Sequence, residues 1–410
     1  MGLNKNSYES GGDQIMTTLR HLTSEDFEEV YNLNLYAFHF KHTTESKEKM
    51  QKEFEYGSAL GSFSGEQLTS SLILFPFEVY YHGQVFKMGG IGNVTSYPEV
   101  RGQGQVRQLM TANLKEMKDK GMVLSYLAPF SYHFYRKFGY EVTFEERQYD
   151  IKPEDFGSFK APEQRVKRVR WEDHKEEIKA VYAEKMMDAI GPVKRNSWIW
   201  DNRIMVSKEK KLALYEDKKG AAKGYVLYGF SGENQNRFEI KELMALTGDA
   251  EQALWTFIGS HAAGFENFSF SVRSDQKLSH LFREARLEQK MEAGMMVRIV
   301  DMENFLKQFP FKGIEKQTFY LNVTDETAEW NDKVFKLVLN EGNISVRTVD
   351  EPEDKTFYMK ASIQTWTQLF MQYKKAADLR FEGSLDCTRE AAHALQSLLP
   401  ADVPELHDFF

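Results

Sequence analysis

Near residue 100 the chain carries residue types that can hold a phosphate group: Arg101-Gly-Gln-Gly-Gln-Val106, followed at once by Arg107. An apolar run ending in Val94, Thr95 and Ser96 leads up to this turn through Pro98. A helical stripe of Val106, Leu109, Met110, Leu114 and Met117 leads away from it, toward Gly121. A glycine turn that opens a helix presents unpaired backbone N–H groups. Glycine lets an anion come close to the chain, and the helix dipole favours negative charge there. Gly102, Gln103, Gly104 and Gln105 are therefore candidates for binding a phosphate-bearing molecule. No Gly-Lys-Ser/Thr follows, so this is not a Walker loop. Arg107 stands where the dinucleotide fingerprint needs its third glycine, and no acidic residue follows on a next strand. An ordinary glycine-rich connection is the alternative reading.

A second candidate lies in Pro129-Phe-Ser-Tyr-His-Phe-Tyr-Arg-Lys-Phe-Gly-Tyr140, which reads as a loop, a short helix and a stop at Gly139. Its Tyr135 could donate a proton, although in a chain that is 14% aromatic a tyrosine is more often packed than catalytic. His133 is a possible base and is expected to face elsewhere. His39, His42 and Glu45 fit no standard metal-ligand spacing and read as solvated surface, so no metal is expected. Cys387 follows Asp386 with no histidine nearby and reads as a spectator thiol. The basic run Arg165–Arg170 reads as a solvated strand or linker face. Phe27, Tyr36, Phe38 and Phe40 could line a pocket, but their helical spacing favours core packing for most of them.

The elements that must position these residues follow from periodicity and punctuation. Thr23-Ser-Glu-Asp opens a helix with a capping signature, and a more charged helix runs from about Glu45 to Tyr56. Strands at Leu68–Phe77 and Val79–Tyr81 meet Val85–Met88 and Gly90–Tyr97 across a turn at His82-Gly83-Gln84. Val123–Leu127 is a short buried strand after the glycine turn and its helix. The same order recurs later: a helix over Glu172–Met187, strands at Lys211–Tyr215, Gly224–Gly229 and Phe238–Leu246, a helix over Ala250–Ala263, and a strand at Phe268–Val272. At the corresponding turn this repeat reads Ala245-Leu-Thr-Gly-Asp-Ala-Glu-Gln-Ala-Leu254, without the arginine–glycine pattern. A third segment begins near Met296-Val-Arg-Ile-Val300, with strands at Thr318–Val323, Lys333–Leu339 and Asn343–Thr348. Helices are expected at Ser362–Phe370 and Arg389–Leu399, and a strand or turn at Arg380–Leu385. The chain ends on Pro404-Glu-Leu-His-Asp-Phe-Phe410, more aromatic than an end that frays in solvent.

The 410 residues suit two to three α/β domains: 1–155, with 1–15 as a flexible polar extension, then 156–296 and 297–410. A net charge of −8 argues against general nucleic-acid binding and suits cationic partners. One cysteine excludes an intrachain disulfide and fits a reducing compartment, and no run of membrane length or signal pattern is present. A cytoplasmic protein that binds no membrane is expected.

Val94-Thr-Ser96, Pro98, Arg101-x-x-Gly104 and the Tyr135–Tyr140 block together resemble the acetyl-coenzyme A site of the GCN5-related N-acetyltransferase (GNAT) superfamily. Val106 departs from the family's Gly or Ala. More specifically, the chain resembles the enhanced intracellular survival (Eis) family. Phe134-Tyr-Arg-Lys-Phe-Gly-Tyr140, the block Phe319-Tyr-Leu-Asn-Val-Thr-Asp325 and the terminal Phe410 carry that likeness, which covers residues 17–410. It implies two tandem N-acetyltransferase-like domains, the second degenerate, followed by an α+β sterol-carrier-like domain.

The resemblance also implies acetyl-CoA as cosubstrate, held by Val94, Thr95, Ser96, Arg101 to Arg107, Phe130 and Ser131. The implied acceptors are aminoglycosides or other polycationic amines, and the implied assembly is a homo-hexamer. The amine attacks the thioester directly, while a backbone N–H near Val94–Ser96 polarises the carbonyl. Tyr135 acts as general acid to the leaving thiolate, a feasible transfer given a phenol near 10 and a thiol near about 8.5. The Phe410 α-carboxylate acts as general base. Its solution pKa of about 3.3–3.7 is low for that task, so either burial, which the two terminal phenylalanines are expected to supply, raises it or a water relays the proton. Two rival readings stay open: an apolar-ligand-binding protein with a relic cofactor domain, and an acetyltransferase acting on protein lysines or N-termini.

Overall fold

The computed structural model describes residues 17–157, 163–207, 209–284, 286–313 and 316–410. The expected flexible extension, 1–15, lies outside the described residues. The first unit begins with β1 (Thr17–His21), α1 (Phe27–Phe38) and α2 (Thr44–Tyr56). Thr43 caps α2: its hydroxyl accepts from Ser46 N at 3.0 Å and the Ser46 hydroxyl accepts from Thr43 N at 3.1 Å. α1 buries Phe27, Val30, Tyr31 and Leu33, then stops at a left-handed His39. Of Phe27, Tyr36, Phe38 and Phe40, core packing therefore holds only for Phe27. Tyr36 lies half a turn off the buried face, Phe38 and Phe40 lie where the helix ends, and the three are 54%, 39% and 62% exposed.

A meander follows of β2 (Ser58–Ser64), β3 (Gln67–Tyr81) and β4 (Gln84–Ser96), with His82 and Gly83 both at positive φ in its tight turn. Then come α3 (Gln105–Asp119), β5 (Leu124–Leu127) parallel to β4, α4 (Tyr132–Arg136) and β6 (Glu141–Val142). β7 (Glu145–Ile151) leads into the second unit of β8 (Lys167–Val169), α5 (Trp171–Met186), β9 (Ile190–Val193) and the single turn α6 (Ser197–Ile199). Its remaining elements are β10 (Lys211–Glu216), β11 (Ala222–Ser231), β12 (Arg237–Ala245), α7 (Gly248–Gly259), β13 (Asn267–Arg273) and β14 (Gln289–Ala293).

The two sheets have matching strand orders because each borrows a strand. β7, directly after β6, inserts between β13 and β14 of the second sheet. β15 (Met296–Ile299), directly after β14, inserts between β5 and β6 of the first. The orders are β1-β2-β3-β4-β5-β15-β6 and β8-β10-β11-β12-β13-β7-β14, and β9 also pairs with β3. This reciprocal exchange corrects the expectation that Met296–Val300 opens the third segment, since its strand completes the first sheet. A cut at 155/156 likewise leaves β7 with the first unit although its partners lie in the second.

The third unit comprises α8 (Met302–Gln308), β16 (Gln317–Thr324), β17 (Val334–Asn340), β18 (Asn343–Val349), β19 (Tyr358–Ser362), α9 (Ile363–Phe370), α10 (Ala376–Phe381), β20 (Asp386–Cys387) and α11 (Arg389–Leu398). Its sheet runs β18-β17-β16-β19-β20. Arg380 and Phe381, read as strand or turn, end α10 before a turn at Gly383. The apolar core of this unit is continuous with that of the first. Tyr81 stacks on Phe86 at 5.0 Å, meets Phe305 edge-on at 6.3 Å, and donates its hydroxyl to the Phe370 carbonyl.

Candidate functional site

The slot that could take an extended ligand exists because β4 outruns β5. Their parallel pairing extends from Met88–Leu124 only to Ile91–Leu127, whereas β4 stays paired to β3 as far as Ser96. The β3–β4 register shifts between Ser71 and Ile73, opposite Asn93 at φ 52, which is the mark of a bulge that turns a strand away from its neighbour. One edge of Gly92–Ser96 is therefore left to pair with an amide-bearing chain. Side-chain bonds to β3 hold this stretch: Thr95 Oγ1 lies 3.0 Å from Ser71 Oγ, and Ser96 Oγ accepts from Ser70 at 3.0 Å. Val94 packs against the cluster that contains Tyr135.

At the open end of the slot stands the glycine turn. Gly102 and Gly104 are both left-handed (φ 81 and 82), and a Cβ at either would meet nothing, so backbone conformation and not space selects glycine there. α3 starts without a side-chain cap and without an acidic residue in its first turn, so its first N–H groups remain available to an anion. Arg101, Gly102, Gln103, Gly104 and Arg107 are exposed, with the Arg107 guanidinium 5.7 Å from the Phe138 ring centroid. Gln105 differs: its buried carboxamide accepts from Thr69 at 2.8 Å and Ser70 at 2.9 Å, fastening α3 to β3 and leaving only its backbone for a ligand. The equivalent turn of the second unit is closed. Thr247 Oγ1 accepts from Ala250 N at 3.2 Å, and Asp249 and Glu251 occupy the first turn of α7. Cap and charge together oppose an anion there.

Tyr135 and Phe410 approach the fork of β4 and β5 from opposite faces. Gly90 and Ile91 are consecutive and so point to opposite sides of the sheet. Ile91 packs in the cluster that buries Tyr135, and the Phe410 ring lies so close to Gly90 that a Cβ there would come within 2.6 Å of it. Ser131 caps α4, its Oγ accepting from Phe134 N at 3.3 Å, which places Tyr135 between Phe130 (5.4 Å) and Phe134 (5.2 Å). Burial, with a smaller contribution from Tyr140, pushes the Tyr135 phenol well above its ordinary value. Tyr140 is structural, with its hydroxyl 2.7 Å from that of Ser125 and its pKa pushed up to about 12 by burial. Phe130 is exposed, and so is His133.

The tail is pinned by residues that sequence reasoning did not single out. Glu405 N donates to Ile190 O at 3.0 Å, and the buried Asp408 accepts from Arg195 Nε at 2.9 Å. The same guanidinium donates to Glu242 at 3.0 and 2.6 Å and lies over the rings of Tyr182 (4.0 Å) and Trp200 (4.7 Å). Burial acts to raise the Glu242 pKa, but the Arg195 charge and hydrogen bonds outweigh it and hold that carboxyl low. At Asp408 burial prevails and the pKa rises. Beyond Asp408 the Phe410 ring meets Phe77 edge-on at 4.9 Å, and Arg203 Nη1 donates to Phe409 O at 3.3 Å. The expected burial by two terminal phenylalanines is corrected to one, because Phe409 faces solvent.

Between the first two units and the tail lies a cavity of about 1560 Å³ that reaches from Ala128–Phe130 to Phe409. Its described lining holds thirteen carboxylate side chains against five lysines or arginines. Four of those five are already ion-paired, Arg237 with Asp150, Lys241 with Glu239, Arg273 with Asp275 and Lys290 with Glu292, so the surplus charge is negative. The other sequence candidates contribute nothing to this site. His42 Nδ1 lies 3.0 Å from the Tyr31 hydroxyl, and among the described residues no group of His, Cys, Asp or Glu could hold a metal ion. Arg165–Arg170 includes the edge strand β8, with Arg170 paired to Asp173 at 2.8 Å. Burial pushes the Cys387 thiol up. Among the described residues no helix is long and apolar enough to cross a membrane.

Three families of known domains match in succession: an acetyltransferase (GNAT) domain over residues 18–143, a second acetyltransferase (GNAT) domain over 191–299, and a sterol carrier protein domain over 302–406. The chain is 25% identical to the N-acetyltransferase Eis of Mycobacterium tuberculosis over 259 residues, 59% of this chain and 62% of that relative's length. A crystal structure from Enterococcus faecalis V583, of a protein of unknown function described as a "Probable N-Acyltransferase", is 36% identical. It superposes with a TM-score of 0.91 over 96% of this chain and 99% of its own. A GCN5-related N-acetyltransferase from Anabaena variabilis, 20% identical, shares the fold with a TM-score of 0.85 over 96% of this chain and 100% of its own.

Proposed function

The chain belongs to the GNAT acetyltransferase family, and from that premise we propose that it transfers an acetyl group from acetyl-CoA to an amine of a polycationic small molecule, of which aminoglycosides are one class. The observation that carries this reading is the fork of β4 and β5, open along Gly92–Ser96 and approached by Tyr135 on one face and Phe410 on the other. Bound acetyl-CoA supplies a thioester that a neutral amine can attack. Arg101, Arg107 and the N–H groups at the start of α3 hold its pyrophosphate, and the Val94–Ser96 backbone pairs with its amide-bearing arm and polarises the carbonyl. Tyr135 keeps its proton at neutral pH and delivers it to the departing sulfur. The terminal carboxylate of Phe410 takes the proton that the ammonium must lose. The carboxylate-rich cavity beside the fork attracts the cationic acceptor. Likeness to the Eis N-acetyltransferase supports the same reading at the level of the family.

Thiol release from acetyl-CoA, measured with aminoglycosides, linear polyamines and lysine peptides, tests it. Turnover is expected with the polycations and should weaken as salt rises. Turnover with peptides alone favours the protein-acetylating rival, and no release with any amine rejects the reading. Gly104→Glu places a carboxylate and a strained side chain in the cradle and should weaken acetyl-CoA binding at least about ten-fold. Unchanged affinity, measured by calorimetry, would remove the turn from the cofactor site. One glycine appended after Phe410 moves the carboxylate by one residue and should lower kcat about ten-fold or more, with acetyl-CoA affinity kept. Full activity in that variant excludes the carboxylate as base.

A further inference from the structure

The short helix that carries Tyr135 and the turn after it are held by side chains of the third unit and by Arg298 of β15, a strand of the first sheet. α4 spans only Tyr132–Arg136. A helix of that length has no stability of its own; the Lys137, Phe138 and Gly139 N–H groups close its last turn onto the carbonyls of Phe134, Tyr135 and Arg136, and the turn beyond must be held from elsewhere. Three consecutive carbonyls, that of the last helical residue and the two that follow, each receive a side-chain donor. Gln364 Nε2 donates to Arg136 O at 2.9 Å, Thr327 Oγ1 donates to Lys137 O at 3.2 Å, and the Arg298 guanidinium donates to Phe138 O. Arg298 lies fully buried on β15 and is ion-paired to Asp325 of the third unit. The Asp325 carboxylate also accepts from the N–H groups of Thr327 and Ala328, both at 3.1 Å, so the turn that presents Thr327 and the ion pair form one assembly. Farther along, Gln368 Nε2 donates to Val142 O at 3.2 Å, bracing the strand that follows.

We infer that the third unit positions the acid of the transfer reaction: Gln364, Thr327 and the Arg298–Asp325 pair fix the C-terminus of α4 and thereby the Tyr135 hydroxyl. None of these groups reaches the reacting atoms, so they are positioning residues. The inference rests on Tyr135 acting as the acid. Displacing a catalytic group by 1 Å can cost about a hundred-fold in rate, and a five-residue helix offers little internal resistance to such a shift. The continuous core between the first and third units supplies the rigid backing.

The test is Gln364→Ala combined with Thr327→Val, made in the native protein and again in a Tyr135→Phe protein. Both positions are half-buried, and the change leaves the Arg298–Asp325 pair intact, whereas removing either charge risks unfolding the chain. In the native background kcat should fall about ten-fold, with KM for acetyl-CoA within about two-fold and Tm nearly unmoved. In the Tyr135→Phe background the same pair of changes should alter kcat by less than about two-fold, because their effect runs through the hydroxyl. An equal loss in both backgrounds, or unchanged kcat in the native one, overturns the inference while Tyr135 remains the acid. Native turnover in the Tyr135→Phe protein overturns the acid assignment and this inference with it.

Discussion

Tyr135→Phe is expected to lower kcat by about a hundred-fold or more while acetyl-CoA affinity stays within about two-fold, since general acid catalysis contributes about 10² to 10⁴. The ring fills its space unchanged among Phe130, Phe134 and Tyr140, so the substitution removes a proton and little packing. The pH profile gives the sign. Burial raises the phenol pKa, so the acid form needed for catalysis persists as pH rises, and native activity should not fall on Tyr135's account until above about pH 10. Steady-state kinetics with a polycationic amine across pH 7–11, with acetyl-CoA binding measured by calorimetry, checks both halves. A Tyr135→Phe enzyme with native kcat, or a native basic limb near a free phenol's value that survives the substitution, places the acid elsewhere.

What could be read from the sequence was local. The Arg101–Gly104 turn and the Tyr135 block announce themselves because glycine spacing and a helix start lie within a few residues of each other. The second unit's missing cradle was legible for the same reason, in the absence of the arginine–glycine pattern from Ala245–Leu254, and the structure adds the Thr247 cap and the Asp249 and Glu251 charges. What escaped is carried by distance along the chain. The exchange of β7 and β15 leaves no local mark, because a strand's periodicity is the same whichever sheet receives it. Arg195 meets Asp408 across 213 residues, and Arg298 meets the Phe138 carbonyl across 160. One signal was present: an arginine inside the apolar run Met295–Val300 must be paired if its strand is buried, and so must Asp408 in an aromatic tail. Tyr36, Phe38 and Phe40 misled because helical spacing predicts a stripe but not where α1 stops, and His39 ends it.

Arg195→Met should uncouple the tail from the second unit and is expected to have the largest effect on stability. The native guanidinium is fully buried and holds two carboxylates, Glu242 and Asp408, that have few alternatives: Tyr225 and Tyr182 each offer a hydroxyl. Removing one partner of a buried ion pair costs about 3–5 kcal/mol, because the charge left behind is uncompensated. Methionine approximates the lost volume between the Tyr182 and Trp200 rings, so the defect is electrostatic more than steric. The sign with pH follows. Without Arg195 both carboxyls have folded pKa values above their unfolded ones of about 3.9 and 4.3, a destabilisation fully present above the folded pKa and relieved as protons bind. The gap in Tm between native and variant proteins should therefore be widest near pH 8 and narrow toward pH 5. Because Asp408 precedes Phe410 by two residues, kcat should fall more than ten-fold even at temperatures where the variant is folded, with acetyl-CoA affinity little changed. A variant that loses stability but keeps native kcat would mean that the terminal residue finds its place at Gly90 and Phe77 without the second unit's hold on the tail.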